Sequence, residues 1–196
     1  MGVLTLRRGA GCLVPLLMAG ISLAGEAAVE SPPAMAHSEY EIESAMLYNF
    51  TKFVEWPRSA WGEGGESLVV GVLGDDPMAH ILASALRDKT IYGHPILVRR
   101  LNSGADVRGC AVLLVGAAER KEITRIVQSV GRSPVLTIGE REQFSRLGGV
   151  IAFIRDGNRI RFEINLDAAD RAGLQVSSKL LRLATVWREN PPQVRN

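Results

Sequence analysis

The sequence predicts an α/β fold, a single three-layer domain with a mostly parallel central sheet, helices on both faces and a C-terminal β-hairpin at one edge. Three observations predict it. Short continuous apolar runs such as CAVLLVG and PVLTIGE are typical of strands that are covered on both faces. Amphipathic segments such as RKEITRIVQSVG alternate with these runs and indicate helices. The alternating stretch IAFIRDGNRIRFEINL, with Asp156-Gly157-Asn158 in its middle, indicates a β-hairpin.

The first element is an amphipathic helix in YEIESAMLYNFTKFVEWP. Its apolar residues recur at steps of three and four, as one face of a helix requires: Ile42, Met46, Phe50, Phe53 and Val54. Ser38 is the expected N-cap, with Glu41 three residues on as in a capping box. Pro57 is the expected stop, because the residue before a proline disfavours the helical conformation.

The stretch LVVGVLGDDP predicts a buried strand followed by a second helix, with Asp75 as its N-cap and Pro77 in its first turn. A dinucleotide loop needs Gly-x-Gly-x-x-Gly, so that the backbone can approach a pyrophosphate. Here Gly71 and Gly74 are followed by no third glycine, and carboxylates at the helix start would repel a phosphate. The stretch is therefore interpreted as an architectural corner, in which Gly74, Asp75 and Pro77 have structural roles.

The predicted hairpin places Phe162, Ile164 and Leu166 on one face, with Arg161, Glu163 and Asn165 on the other. We expect Glu163 and Asn165 to tie the end of the strand to the last helices. Arg155, in the other half of the hairpin, is expected to be an ordinary surface residue. After the hairpin, DAADRAG predicts a capped turn of helix and SSKLLRLATVW a second helical piece, with Ser177 as its N-cap and Lys179 following.

Composition and motifs point away from nucleic-acid binding and from catalysis. A net charge of +2 gives no strong positive field, and the basic residues are scattered. The histidines lack zinc spacing, and Ser177-Ser178-Lys179 is too tight for a Ser-x-x-Lys motif. Asp75, Asp76 and Asp106 are the remaining candidates for Mg²⁺, and nothing in the sequence brings them together. We therefore predict no enzyme activity, no cofactor and no metal.

The N-terminus resembles a secretory signal peptide, because Arg7 and Arg8 precede the short apolar run CLVPLLMAGISLAG. We predict a signal peptide over residues 1–27, with cleavage after residue 36 as the alternative. Residues 28–38 would then be a flexible leader, 39–187 the α/β domain and 188–196 a polar tail. The mature protein would be periplasmic. It would keep Cys110 as a lone thiol, which we expect to be buried and reduced at the head of CAVLLVG.

Aromatic residues are concentrated at the end of the first helix and in the loop that follows it. Tyr48, Phe53, Trp56 and Trp61 fall within this short stretch. Core packing explains part of this pattern, but partly exposed aromatic side chains beside a loop are also typical anchors of protein interfaces. We therefore predict these four residues as a partner interface.

Taken together, YNFTKFVEWP, VVGVLGDDP, PVLTIGE and GGVIAFIRDGNRIRFEINLDAADRAGLQVSSKLLRLA resemble the YfiR-like family of periplasmic proteins. The resemblance runs from about Glu39 to Ala184 and is most specific in the last block. The residues that match there are Phe162, Glu163, Ile164, Asn165, Ala168, Ala169, Gly173, Leu174, Ser177, Ser178, Lys179, Leu180 and Leu181.

The resemblance implies regulation rather than catalysis. A protein of this kind inhibits an inner-membrane diguanylate cyclase through the cyclase's periplasmic region, and so controls cyclic-di-GMP signalling and biofilm formation. The resemblance also implies a homodimer and sequestration by an outer-membrane, peptidoglycan-binding lipoprotein; a sensor kinase is another candidate membrane partner. The family's well-known repressor carries paired cysteines, whereas the mature chain here would have Cys110 alone, which argues against a disulfide switch within one subunit.

Two further interpretations remain open. A periplasmic small-ligand receptor would use a cleft at the carboxyl ends of the central strands, near Gly74 and Gly116. An enzyme whose site is assembled from scattered residues is the third. A ligand retained through purification would favour the receptor, and an adjacent gene for a cyclase or a histidine kinase would favour the regulator.

Overall fold

A mostly parallel sheet of eight strands organises the described part of the chain. The computed structural model describes residues 34–61, 66–74, 77–102, 107–116, 122–141, 143–157 and 159–189. The helices are α1 Ala34–Lys52, α2 Met78–Leu86, α3 Ile123–Val130, α4 Gln143–Arg146, α5 Leu166–Arg171 and α6 Ser178–Leu181, with a 3₁₀ turn at Arg58–Ala60. The strands are β1 Val54–Glu55, β2 Leu68–Leu73, β3 Thr90–Ile91, β4 His94–Leu101, β5 Val112–Val115, β6 Leu136–Gly139, β7 Ile151–Asp156, β8 Arg159–Asn165, β9 Gln175–Val176 and β10 Thr185–Trp187.

The strand order in the sheet is β10-β8-β7-β6-β5-β2-β4-β3. Only the pairs β7–β8 and β3–β4 are antiparallel among the described strands of this sheet. The sequence-based expectation of a mixed α/β fold with a mostly parallel sheet is therefore confirmed. A second, two-stranded sheet pairs β1 with β9, so that Val54 lies opposite Val176.

The hairpin β7–β8 is not at the edge of the sheet, where we expected it. β10 pairs in parallel with β8 and lies outside it, with Thr185 opposite Glu163 and Trp187 opposite Asn165. The expectation that SSKLLRLATVW is helical throughout is also wrong, because its last three residues form β10. The helix ends at Leu181, and the β-branched Thr185 and Val186 enter a strand, a conformation that their branched side chains favour.

The first helix is also bounded differently from the prediction. α1 begins at Ala34 and runs through Ser38, so Ser38 is not its N-cap. It ends at Lys52, before Phe53 and Val54, which we had placed on its apolar face. Val54 leaves the helix because it pairs with β9, where its side chain is fully buried. Tertiary pairing here overrides the helical periodicity.

The buried apolar residues form two clusters, and β5 contributes to both of them. Val112 and Leu114 pack in the cluster that contains residues of α1 and α2, whereas Leu113 and Val115 pack with residues of α3 and α4. Because alternate residues of a strand point to opposite faces, β5 is covered by helices on both sides. In the described part of the chain, no helix is long and apolar enough to span a bilayer.

Gly71, in the middle of β2, lies where neighbouring side chains leave no room for a Cβ atom. A Cβ built at Gly71 would lie 2.8 Å from both Cys110 Sγ and Leu101 Cδ1. Cys110 is a free thiol with only 4% of its surface exposed, and it fills this space. At the end of β2, Gly74 turns the chain with a φ of 112°, a conformation that favours glycine. Asp75, the expected helix cap, lies outside the described residues.

Candidate partner interface

Trp61 and Tyr92 meet at the turn between β3 and β4, and Tyr48 contacts Thr90, two residues before Tyr92; we call these three aromatic residues the aromatic surface. Tyr48 lies near the end of α1, and its hydroxyl donates a hydrogen bond of 3.4 Å to the carbonyl of Thr90. The Trp61 ring meets the Tyr92 ring edge-on with centroids 6.3 Å apart, and its centroid lies 4.7 Å from that of His94. Residues from three separate segments of the chain thus form one surface.

The backbone of the β3–β4 turn directs Tyr92 outward. Tyr92 and Gly93 form a two-residue turn with φ values of 51° and 86°, as type I′ hairpin turns require. The left-handed conformation of a tyrosine is strained, and such strain persists only where neighbouring contacts hold it. Here the Tyr92 hydroxyl donates a hydrogen bond of 3.2 Å to the carbonyl of Val54, while 61% of the residue remains exposed.

Positive charge lies beside the aromatic surface. The ammonium group of Lys52 is 5.2 Å from the centroid of the Tyr48 ring, and that of Lys89 is 5.9 Å from it. Cations at this distance from an aromatic ring are attracted to its face. Aromatic side chains are enriched in protein interfaces, whereas charged groups such as these lysines belong to the polar rim around them.

Phe53 and Trp56, the other two predicted interface residues, make different contacts. The Trp56 indole donates a hydrogen bond of 3.2 Å to the carbonyl of Thr51, and the carbonyl of Phe53 accepts one of 2.9 Å from the amide of Ser177. Both side chains are partly buried against the core. Among the described residues, Trp61 is the one of the four predicted interface residues whose ring meets another ring of the aromatic surface, whereas Tyr48 contacts the backbone of Thr90.

A second group of polar residues lies beneath α4. The Phe144 ring of this short helix is fully buried against Gly139 and Gly149, where an added Cβ would overlap the ring. The two glycines therefore let α4 approach the sheet closely. As a result its next residue, Ser145, is buried and donates a hydrogen bond from its hydroxyl to the carboxylate of Glu163.

Glu163 and Asn165 lie on the face of β8 opposite to Phe162 and Ile164, as expected, but they are buried there. Asn165 is fully buried; its side-chain oxygen accepts a hydrogen bond of 2.9 Å from the amide of Ala168 and so caps α5. Its side-chain nitrogen donates one of 2.8 Å to the carbonyl of Ser145. The pair therefore joins β8 to α4 and α5, and the involvement of α4 was not predicted.

A charged strap follows β10 and holds it to the domain; we use this name for Arg188 and Glu189. The guanidinium of Arg171 donates two hydrogen bonds, of 2.7 and 2.6 Å, to the carboxylate of Glu189. These bonds lower the pKa of Glu189 below the ordinary value for a glutamate and raise that of Arg171. Asp167 accepts hydrogen bonds from the Arg188 side chain at 3.1 Å and from the Glu189 amide at 2.7 Å.

The remaining predicted structural residues lie at helix ends. Pro77 precedes α2 at the N-cap position, though without a side-chain cap. Ser177 is the N-cap of α6, and its hydroxyl accepts a hydrogen bond of 3.3 Å from the amide of Lys179. Lys179 is exposed in the first turn of that helix.

A cleft of about 370 Å³ lies at the carboxyl ends of β6 and β7. Arg141 and Arg155 line it together with Glu140, so it presents charged groups of both signs. It is not the cleft that the sequence suggested near Gly74 and Gly116, where the following residues lie outside the described part of the chain. Across the described residues, no group of three or more His, Cys, Asp or Glu side chains is placed to hold a metal ion.

Sequence reasoning missed Tyr92, the most exposed member of the aromatic surface. The dipeptide Tyr92-Gly93 was interpreted only as a turn. A type I′ turn requires positive φ at both of its central positions. A tyrosine in that position, where glycine or asparagine is usual, is the signal that could have identified it.

A family model described as YfiR/HmsC-like matches residues 40–185 of the chain. The match includes α1 from Tyr40 onward, the whole of β1 to β9, and every residue of the aromatic surface. It covers well over half of the sequence and agrees with the resemblance that the sequence motifs indicated. The chain therefore belongs to the YfiR/HmsC-like family.

Proposed function

We propose that this protein is a periplasmic regulator that inhibits an inner-membrane diguanylate cyclase, or a related sensor protein, by binding its periplasmic region. Membership of the YfiR/HmsC-like family carries the proposal, because regulation rather than catalysis is what this family implies. The inhibited cyclase would make less cyclic-di-GMP, and biofilm formation would fall. A homodimer and an outer-membrane, peptidoglycan-binding lipoprotein that sequesters the regulator belong to the same proposal.

The aromatic surface supports a protein partner. Its three rings come from α1, the loop before β2 and the β3–β4 turn, so the fold holds them in a defined arrangement. Rigid aromatic side chains contribute much of the binding energy of protein interfaces. Phe53 and Trp56 are partly buried close by in the chain, and we include them as supports of this surface rather than as its contact residues.

The test combines a cyclic-di-GMP measurement with variants of the aromatic surface. Deleting the gene should raise cyclic-di-GMP, and a plasmid copy should restore the low level. The variant Tyr48→Ala/Trp61→Ala should fail to restore it, because losing an interface anchor typically costs about 2 kcal/mol or more of binding free energy. Trp187→Ala is the matched control, since this partly exposed tryptophan lies on β10, away from the aromatic surface.

Folded protein must be present in each strain, so its periplasmic level is measured by immunoblot. Trp56→Phe, which keeps a ring but removes the donor to Thr51, should behave like the wild type. An unchanged cyclic-di-GMP level in the deletion strain would refute the proposed function. Full restoration by the double variant would refute the assignment of the interface but not the function.

A small-ligand receptor is the second candidate. The cleft beside Arg141 and Arg155 favours it, because ligands of open α/β sheets bind outside the carboxyl ends of the strands. Native mass spectrometry of the purified mature protein tests this directly. A bound small molecule that is lost in Arg141→Ala would support the receptor, and an unliganded protein would leave the regulator as the better proposal.

A further inference from the structure

β4 has an outer edge that the described chain leaves open. On its inner side, residues Ile96 to Leu101 pair in register with Leu68 to Leu73 of β2. On its outer side, β3 pairs only with His94 and Pro95. Within the described residues, no strand covers the outer edge from Ile96 to Leu101. In such a strand alternate residues direct their N–H and C=O groups outward, where they can pair with another extended chain.

The side chains of this edge combine apolar and positively charged groups. Leu97 is 53% exposed, and Arg99 and Arg100 beside it are exposed as well. The guanidinium of Arg99 is held in place, since it donates hydrogen bonds of 3.3 Å to the carbonyl of Arg108 and to Cys110 Sγ. From Lys89 to Leu101 the sequence contains no carboxylate. The edge is therefore locally basic, although the whole chain carries a charge of only +2.

We propose that the outer edge of β4 binds an extended, acidic segment of a partner protein by adding it to the sheet as a further strand. Backbone hydrogen bonds supply the pairing in this mode of recognition, and side chains supply the selectivity. Carboxylates of the added strand face Arg99 and Arg100, and an apolar residue covers Leu97.

Charge also decides against the most obvious competitor, a second copy of the same chain. Charged side chains on an edge strand, such as these arginines, commonly prevent association between identical sheets. Two β4 edges would bring the arginine pairs of both copies together, and like charges across an interface oppose binding. An acidic strand removes this repulsion, and Leu97 remains available as an apolar contact. The basic edge thus selects for the charge of its partner.

The probe is a short synthetic peptide in which two adjacent glutamates are flanked by valines, so that one carboxylate lies on each face of the sheet, titrated into the isotope-labelled mature protein. Nuclear magnetic resonance should show shifted and exchange-protected amides in Ile96 to Leu101. The same peptide with lysines in place of the two glutamates should bind about tenfold more weakly at low salt, because its charges oppose the arginines. The variant Arg99→Glu/Arg100→Glu should reverse this order of preference.

The control is Arg125→Glu/Arg132→Glu, which changes the same number of exposed arginines on and just after α3. It should leave both affinities unchanged. Equal binding of the two peptides, or protection outside β4, would overturn the proposal. The proposal would also be overturned if protection of the β4 amides rises with protein concentration and disappears in Leu97→Asp, because a second copy would then occupy the edge. The β4 amides could also be protected from exchange in the full chain and lose that protection when residues 1–33 are removed. This result would assign the edge to the chain's own N-terminal segment and would overturn the proposal.

Discussion

At the scale of single residues, Glu163 and Asn165 are the polar groups on which the packing of α4 depends most. Asn165 uses both its oxygen and its nitrogen, toward Ala168 and Ser145 respectively. Glu163 accepts a hydrogen bond from the hydroxyl of the same Ser145. A buried group that loses its partner costs free energy, because it has already given up its contacts with water.

We predict that Glu163→Ala and Asn165→Ala each lower the free energy of unfolding by about 1–3 kcal/mol, the usual cost of leaving a buried polar partner unsatisfied. Urea unfolding followed by circular dichroism measures this. Asn165→Asp keeps an acceptor for the Ala168 amide but loses the donor to Ser145 and to Glu189, and it places a second carboxylate beside Glu189, so it should be no more stable than Asn165→Ala.

Arg159→Ala is the control for these variants, since Arg159 is exposed on the same hairpin and a surface change usually stays within about 0.5 kcal/mol. If both alanine variants unfold at the urea concentration of this control, the structural role is wrong. Arg155, which we expected to be an ordinary surface residue, is unsuitable. It forms an ion pair of 2.6 Å with Glu39 and lies 3.9 Å from the fully buried Glu43, both on α1.

The alternation of polar and apolar residues in β8 predicts part of this arrangement but not all of it. The period-two pattern of β8 correctly places Glu163 and Asn165 on the face away from Phe162. It does not reveal that this face is buried. The face is covered by α4, a four-residue helix, which can approach the sheet closely because Gly139 and Gly149 have no side chains. A close approach of this kind depends on contacts between segments distant in sequence, which local patterns do not contain.

At the scale of secondary structure elements, β10 is the element most weakly held by packing. Its first two residues are exposed, and Trp187 is only partly buried. Backbone pairing with β8 and the charged strap hold it in place. The strap depends on the ionised carboxylate of Glu189, whose pKa is lowered chiefly by its hydrogen bond with Arg171.

We predict that acidification loosens β10. A carboxylate with a lowered pKa stabilises the folded state fully above the ordinary glutamate pKa. That contribution disappears as the pH falls through the lowered pKa. The indole N–H resonance of Trp187, followed by nuclear magnetic resonance over this acidic range, should report the release. In Glu189→Gln the strap should already be weakened at neutral pH, and its acidic transition should vanish. The same titration curve in both proteins would show that Glu189 is not responsible.

Among the elements, those with an apolar run, an amphipathic period or a capping residue could be predicted, and the two-residue strands could not. β2, β5, β6 and α3 have continuous apolar runs or clear amphipathic periods, and the structure has them where these patterns lie. β1 and β9 contain two residues each and exist because they pair with one another. No local signal distinguishes such a pair from a loop.

At the scale of the whole molecule, the N-terminal boundary follows from the proposed export. We predict that the mature protein begins at Ala28 or His37, as mass spectrometry of the envelope fraction would show. Cleavage after residue 27 leaves α1 complete, whereas cleavage after residue 36 removes its first turn, which begins at Ala34. We therefore expect Ala28 to predominate. A chain that retains Met1 and stays in the cytoplasm would refute export, and with it the proposed periplasmic function.

The pairing of β1 with β9, and of β8 with β10, has a consequence for how the protein reaches its folded state. The two-stranded sheet joins β1 to β9, which are far apart in sequence, and the large sheet is completed by β10 near the C-terminal end of the domain. Contacts between distant segments form late, because the intervening chain must first be brought together at an entropic cost. A chain that crosses the inner membrane from its N-terminus, as we propose, cannot complete either pairing until its last residues have emerged. In the exported chain that we propose, these two pairings would therefore be completed only after translocation.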